Sequence, residues 1–457
     1  MTTLPDWQND LLTCGELFRV GGSVRDELLG VQAVQDTDYL VRGIPPEKLE
    51  EILRLYGKLV LVGRSFGVYK FVPRGTSEVF DIAFPRTERS LGPGHREFSV
   101  NWDWRMDVTD DLKRRDFTVN AMARSVRDGS LVDPLRGKKD LDARLLRMIF
   151  PAAFLEDPLR ILRGIRFACR FGFAIERETW EAMARSAPLM ETLSAERVQG
   201  ELTGILVQCQ RPSGALGMMR ETGVLARVLP EIDRCAGVNQ NEYHPDDVFI
   251  HSVKTCDQVP RDNLAVRWAA LLHDVGKVDR RQTVHDEKLG DRVVFYGHEA
   301  VGAEAAVGVL RRLRYRNALI QKCEILVRNH MFNYQSEWKP STVRRFIRQV
   351  GETNLEDLFL LREADIRSRD PEARFDDLRE LRGRVSEELG KRAVLRVSDL
   401  AVDGGDVMRA CGLGPGPLVG KILGEALEAV LEEPGLNERD RLLEWVKKRF
   451  PKSRKPV

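Results

Sequence analysis

No run of the 457 residues approaches the ~18 consecutive apolar positions of a membrane span, and the opening MTTLPDWQNDLL has no basic-then-apolar leader. A cytoplasmic protein without membrane association is therefore expected. Cysteine is scarce: seven residues, at 14, 169, 209, 235, 256, 323 and 411, with no C-x-x-C pair. That excludes a disulfide framework and a cysteine zinc cage, and leaves reduced, structural thiols. Fixed-period repeats and low-complexity tracts are missing as well. So is charge of one sign: 72 basic against 70 acidic residues give a net charge of +2, which neither demands nor excludes a polyanionic partner. Basic residues gather only locally, as arginines over 160–170 and as Lys447, Lys448, Arg449, Lys452, Arg454 and Lys455 at the end. That tail reads first as a solvated end and second as a nucleic-acid contact.

What is present is a folding composition, 42% hydrophobic and 31% charged, long enough for two to four packed units. From about 15 to 150, short β-rich runs (LFRV, DTDYLVR, KLVLVG, GVYKFV, EVFDIAF) alternate with turns and one or two helical patterns, which predicts a small α/β or α+β domain. Within it, RTERSLGPGHREFSV breaks the rhythm and predicts a mobile loop over a site, in the stretch 85–113. Beyond about 151, strand signals nearly vanish. DPLRILRGIRFACRF, VRWAALLHDVGK and HEAVGAEAAVGVLRRL carry the 3.6-residue period of helices, with joints near 150, 233–248, 370–398 and 412–420.

The segment FRVGGSVRDELLGVQAVQDTDYL is a strand, a double-glycine turn, a helix start and a second strand carrying Asp36 and Asp38. Residues two apart on a strand share a face, so both carboxylates converge, and Asp81 in VFDIAF lies on another strand able to join them. Hard anionic oxygens at one point call for a divalent cation. Gly21 and Gly22 let backbone N–H groups approach phosphates while Arg25 adds positive potential, a triphosphate seat. The implied chemistry is two-metal in-line phosphoryl transfer, with Asp81 on the side of the attacking hydroxyl. An Asp-x-Asp pair of solvated acids beside an ordinary turn is the plainer alternative.

GGSVRDELLG, DTD, FDIAF, RRDFTVNA, DPLRGKKDLDARLLRMI and EDPLRILRGIRFACRF, in that order over about 10–235, resemble the class II tRNA nucleotidyltransferases, the CCA-adding enzymes, and their relatives the bacterial poly(A) polymerases. The resemblance implies an α/β nucleotidyltransferase palm over 1–150, a helical neck and body reading the base over 151–235, a helical metal domain over 236–370 and a tRNA-binding tail over 371–457. It implies Mg²⁺ on Asp36 and Asp38, triphosphate on Gly22 and Arg25, and nucleotide contacts from Arg115, Asp157, Arg160, Arg163 and Arg166. The hydrogen-bond inventory agrees for one pair. A carboxylate such as Asp157 accepts from the exocyclic amino group shared by cytosine and adenine, and a guanidinium such as Arg160 donates to the ring acceptors beside it, while uracil and guanine present a carbonyl instead. The plainer alternative is an Asp–Arg stripe along one helix, continued by Arg170. Asp116 and Asn120 read as either site or brace.

Five of the seven histidines, His251, His273, His285, His298 and His330, fall in a window of about eighty residues, on otherwise apolar helices, with Asp274 and Asp365 nearby. Imidazoles and carboxylates drawn from separate helices suit Mn, Co, Ni, Zn or Fe, and a bound water there is a hydrolytic nucleophile. His251, His273, Asp274 and Asp365 resemble the HD-domain phosphohydrolase signature, with His298 as an additional ligand or general acid; His244 and His285 read as structural. The tail turn GLGPGPLVGK, with Lys421, reads as a phosphate contact or a simple helix link. The resulting expectation is template-independent addition of CMP and AMP from CTP and ATP to the tRNA 3′ end, Mg²⁺-dependent, with a second hydrolytic activity and no obligatory protein partner. A CC-only or A-only enzyme, a poly(A) polymerase, and an HD phosphohydrolase with an RNA-binding palm are the alternatives.

Overall fold

A computed structural model describes residues 5–31, 37–62, 67–90, 98–240, 245–286, 290–391 and 394–451. The chain divides into two compact units, 1–234 with 312–314, and 235–311 with 315–457. All seven cysteines are free thiols.

Up to residue 132 the described part of the first unit carries nine strands, β1 (Glu16–Val20), β2 (Asp38–Arg42), β3 (Gly57–Leu61), β4 (Val68–Pro73), β5 (Phe80–Ala83), β6 (Arg86–Ser90), β7 (Phe98–Trp102), β8 (Ala123–Ser125) and β9 (Leu131–Val132). Seven of them form a mixed sheet in the order β3-β4-β5-β2-β1-β8-β9. Alternation along β1 and β2 sends side chains to two cores. Leu17, Tyr39 and Val41 join Trp7, Leu11, Leu49, Leu53, Phe71 and Ile82 on one face, under α1 (Asp6–Cys14) and the helix Pro46–Tyr56. Phe18, Val20 and Leu40 join Val108, Leu112, Ala121 and Ala123 on the other. With both faces covered, each buried Leu or Phe contributes about 1.5–3 kcal/mol of transfer free energy.

The expected loop over 85–113 is largely ordered differently. β6 and β7 pair antiparallel from Arg86↔Trp102 to Ser90↔Phe98, and Val108–Lys113 is helical with Asp107 capping through the Thr109 N–H; only 91–97 lie outside the described residues. The Gly/Pro cluster hid a hairpin whose base is fixed by Trp102 stacked on Phe84, 5.4 Å between centroids. After 145 the first unit is helical apart from a two-residue parallel pair, β10 (Leu145–Leu146) and β11 (Ala174–Ile175). The helix Leu159–Phe171 buries Leu159, Ile161, Leu162, Ile165 and Ala168, and Gly172 in the left-handed region ends it.

The second unit is nearly all helical, as expected, with one strand pair among the described residues, β12 (Gln282–Asp286) with β13 (Gly290–Val294). Its helices Val248–Asp257, Leu264–Leu272, His298–Arg312, Asn317–Asn329 and Leu355–Arg369 carry the histidines and acids. The helices Gly404–Cys411, Pro417–Glu432 and Arg439–Arg449 close around Val407, Ile422, Ala426, Leu431, Leu442 and Val446. Lys421 is on the exposed side of Pro417–Glu432 and Lys447, Lys448 and Arg449 end the last helix, while Lys452, Arg454 and Lys455 lie outside the described residues. Among the described residues no helix is long and apolar enough to cross a membrane.

Candidate functional site

In the head, β2 and β5 are parallel neighbours with Asp38 directly opposite Asp81. Register partners share a face, so the two carboxylates stand side by side on the face of Val20 and Leu40, beyond the apolar floor those residues make. Asp38 is exposed and the Asp81 side chain is 40% exposed, where Lys70 from β4 meets it at 2.8 Å. Asp36 lies outside the described residues. β1 ends at Val20, the register partner of Asp38, so the glycine turn begins beside the acids. Gly21 has φ +69° and a backbone N–H bonded to the Met122 carbonyl, and a Cβ there would stand 2.6 Å from Nη1 of Arg115. Glycine is required twice over, for the dihedral and for the guanidinium that packs against it. The Arg115 side chain, 19% exposed, is held in turn by the fully buried Asp111 at 3.1 Å. Burial raises the Asp111 carboxyl, but Arg115 and Arg114 outweigh it and keep it below its ordinary value.

Arg25 is placed on the buried side of this turn rather than in front of it. Its Nε donates to Asp26 at 2.8 Å, Nη1 donates to Asn120 Oδ1 at 2.6 Å, and the guanidinium stacks over Phe171 at 4.6 Å. Asn120 donates onward to Asp116 Oδ1 at 2.9 Å, and Asp116 Oδ2 accepts from Arg163 Nε at 2.9 Å. Asp116 and Asn120 are thus the brace between the glycine-turn helix and the arginine helix. Burial raises the Asp116 carboxyl, but the charge of Arg163 and the hydrogen bond from Asn120 outweigh it and keep it below its ordinary value.

The single-helix Asp–Arg stripe does not form. Asp157 precedes the helix, where its Oδ1 accepts the Leu159 N–H, and its ion pair is with Arg197 at 2.9 Å. Arg160 donates to the Arg114 and Ala153 carbonyls, Arg163 turns to Asp116, Arg166 pairs with Glu201 at 2.7 Å, and Arg170 donates to Gln208. Pro158 stops the helix one residue short of Asp157, and the helix Ala195–Gln208 supplies the countercharges. Arg197 escaped the sequence reading; the Arg-x-x-x-Glu spacing of Arg197 and Glu201, one face of one helix, was its only signal.

In the second unit, His251, His273, Asp274, His298 and Asp365 come together, every one at most 6% exposed. His330, one of the five histidines but left out of the ligand set, joins them at 2% exposure. Its place just past the end of the helix Asn317–Asn329 offered no periodic cue. Asp274 Oδ2 lies 3.2 Å from His273 Nε2 and 3.5 Å from His251 Nε2; Oδ1 lies 3.3 Å from His298 Nε2 and 3.6 Å from His330 Nε2. Asp365 Oδ1 is 3.1 Å from His251 Nε2. Both carboxyls are held low against burial, Asp274 by His273 and Lys277, Asp365 by His251 and His273. Burial lowers His251 and His330, whereas for His273 the charge of Asp274 overcomes burial and raises it. Gly276 permits the assembly: a Cβ there would meet the His298 carbonyl at 2.2 Å and the Gly302 nitrogen at 2.6 Å. His285 is exposed and paired with Asp291, and His244 lies outside the described residues.

A mixed-sheet head with paired acids at its strand ends, followed by a nearly all-helical remainder, is the build of a nucleotidyltransferase with a helical body, and comparison with known proteins gives the same class. Residues 17–147 match the poly A polymerase head domain, 172–235 the probable RNA and SrmB-binding site of polymerase A, and 295–446 the putative tRNA nucleotidyltransferase domain 2. The chain is 39% identical over 342 residues to the multifunctional CCA protein of Aromatoleum aromaticum, covering 73% of this chain and 79% of that one. To the multifunctional CCA protein of Cupriavidus necator it is 36% identical over 436 residues, covering 92% and 100%. The fold is similar to the Bacillus stearothermophilus CCA-adding enzyme solved with CTP, with a TM-score of 0.68 at 24% identity over 98% of both chains. It is also similar to the Thermotoga maritima CCA-adding enzyme solved with tRNA, with a TM-score of 0.56 at 22% identity over 98% of this chain and 96% of that one. The chain belongs to the class II tRNA nucleotidyltransferase family of the CCA-adding enzymes.

Proposed function

We propose that the protein adds CMP and AMP from CTP and ATP, without a template, to the 3′ end of tRNA, releasing pyrophosphate. The observation that carries this reading is the in-register pair Asp38–Asp81 on parallel neighbouring strands, beside the Gly21 turn. Two hard carboxylates on an accessible face suit Mg²⁺, with Asp36 as the third acid, and the ion supplies charge that offsets the triphosphate. Gly21 and Gly22 seat the phosphates, Arg25 supports that turn from beneath, and Arg115 packs against it. Asp157, fixed by Arg197, and Arg160 read the amino-bearing edge of C or A, with Arg163 and Arg166 lining the same helix. In this reading 1–150 transfers, 151–235 reads the base, 236–370 holds the histidine cluster and 371–457 binds tRNA, in the cytoplasm. The names of the relatives favour complete CCA addition over CC-only, A-only or poly(A) products. The test is product length and composition on tRNA lacking its 3′ end, with CTP and ATP singly and together. CCA is expected; a long adenylate ladder, or one A with no use of CTP, refutes it.

A second activity is favoured by the buried histidine–aspartate cluster, which fits metal-dependent phosphate-ester hydrolysis. Its test is phosphate release from 2′-nucleotides and opening of 2′,3′-cyclic ends. Expected is an activity lost in Asp274→Asn and kept in Asp38→Ala, with the opposite pattern for transfer.

A further inference from the structure

The row of register partners through the head's acids runs on past them. β1, β2, β5, β4 and β3 are neighbours in the sheet, and Val20, Asp38, Asp81, Lys70 and Val60 stand opposite one another across them. Register partners share a face. Tyr69 and Phe71, on either side of Lys70, enter the core under the helix Pro46–Tyr56, with Leu59 packed against it, so Lys58, Val60, Lys70 and Val72 are turned to the face of the acids. Over β1, β2 and β8 that face is packed against Val108 and Leu112 of the helix Val108–Lys113. Over β3 and β4, Lys58, Val60 and Lys70 are exposed, Val60 to 46%, and Val79, two residues ahead of Asp81, is exposed to 47%. The strip is two ammoniums set among valines, and it ends at Asp81.

What this strip meets follows from the direction of the reaction. In an in-line transfer the attacking hydroxyl and the departing pyrophosphate lie on opposite sides of the phosphorus. Gly21 and Gly22 follow β1, whereas Lys70 is on β4, three strand spacings or about 14 Å away on the far side of both acids. With the triphosphate at the glycines, the RNA end that brings the hydroxyl comes from the side of Asp81 and Lys70. A single strand entering there offers backbone phosphates to a positive track and sugar and base faces to apolar side chains. We propose that Lys70, with Val60 opposite it and Lys58 diagonal to it, seats the 3′-terminal nucleotides of the acceptor RNA. Its ammonium, 2.8 Å from Asp81 Oδ1 in the free protein, turns to a backbone phosphate when the strand enters. That pair is 49% and 40% exposed, and an exposed ion pair is weak enough to re-form with another anion at little cost. Asp81 is then uncovered only when RNA is seated beside it. The inference rests on the nucleotidyl-transfer reading above and adds to it the path of the acceptor strand.

The test uses the full chain, with Lys70→Met at an exposed position and an unchanged melting transition as the check on folding. The probes are tRNA ending in CC, the same tRNA cut back to its double-stranded stem, and ATP. Losing one phosphate contact on a single strand lowers the slope of log Kd against log salt by about 0.7, or about fivefold in affinity at about 0.1 M salt. Lys70→Met should weaken the CC-ended tRNA by that factor, in Kd without nucleotide and in KM for tRNA. It should leave the blunt tRNA and the KM for ATP unchanged, and Lys70→Arg should restore the wild-type values. Val60→Asp, which sets a negative charge on the same strip, should weaken the CC-ended tRNA further. A rise in KM for ATP alone would put Lys70 on the triphosphate and overturn the proposal. An equal loss on the blunt tRNA would make Lys70 a general surface charge and overturn it too. A wild type that extends tRNA beside a Lys70→Met protein that binds the CC end equally well sinks this inference and leaves the transfer reading standing. A wild type that extends no tRNA sinks both.

Discussion

In the head, Asp38 is exposed and Asp81 is 40% exposed along its side chain, at the starts of two strands. In the second unit, Asp274 and Asp365 are 1% and 6% exposed, among four imidazoles. The first pair of acids is screened by water and answered by Lys70, so under the proposed magnesium role it would tolerate an ion that leaves at each turnover. The second cannot be resolvated. Its carboxylates are answered by imidazoles and by Lys277 instead of by water, so a cation held there would be a kept one. Accessible oxygen donors suit an exchanging ion, and buried nitrogen donors suit a kept one.

The largest effects should come from cutting each centre separately. Asp38→Ala and Asp81→Ala should lower nucleotidyl transfer on the order of 10³-fold or more, because they remove ligands of the cation whose charge stabilises the reacting triphosphate. Labelled CMP incorporation measures it, and phosphate release by the second unit should be unchanged. A transfer loss of less than tenfold in both variants would break the assignment of the head.

Chelation sharpens the same contrast. A cation bound at a hundredfold excess over its Kd stabilises the folded state by about 2.7 kcal/mol. Stripping metal should therefore lower the melting transition of the second unit and leave that of the head in place, as followed by calorimetry with and without chelator. A head transition that shifts as much as the other would erase the distinction between an exchanging and a resident ion.

Each centre also depends on one glycine, for different reasons. Gly276→Ala sets a Cβ 2.2 Å from the His298 carbonyl, so the helix His298–Arg312 must retreat, at a cost of roughly 1–3 kcal/mol and with His298 drawn away from Asp274. Gly21→Ala forces a side chain to φ +69° and onto the Arg115 guanidinium, at a cost of roughly 1–3 kcal/mol, and should depress transfer while leaving metal binding in the second unit intact. Paired thermal melts and activity assays separate the two.

Both glycines stand in the sequence, but their reasons do not. The double glycine after LFRV announced a turn, and Asp38 and Asp81 announced themselves by their places in β-rich runs, because strand alternation is a local rule. The partner of Arg115 against Gly21 is a contact across about ninety residues and no local rule contains it. The same limit hid Arg197: the charges from Asp157 to Arg170 look like one stripe until Pro158 and a second helix redirect them. The β6–β7 pairing was hidden by the Gly/Pro run that separates its strands in sequence, and His330 by its position past a helix end. Periodic residues were readable, and residues placed by termini, prolines or distant helices were not.

The smallest effect is expected where the head's brace titrates. Asp116 is buried and accepts from Asn120, Arg163 and the Phe117 N–H, with the Arg163 pair at 2.9 Å. Its folded value lies below the ordinary 3.8, so its contribution to stability is fully present above that pH and is lost as pH falls through the lower folded value. Asp116→Asn removes the charge but keeps one acceptor for Asn120, and should cost roughly 1–2 kcal/mol at neutral pH. The difference between wild type and variant, followed by denaturant melts, should hold constant from pH 7 down to about pH 4 and shrink below it, as the wild-type carboxyl takes up its proton. The histidine cluster predicts nothing of the kind in that window for the head. A difference that instead collapsed between pH 6 and 7 would place the titrating group on an imidazole and move the brace out of the head's electrostatics.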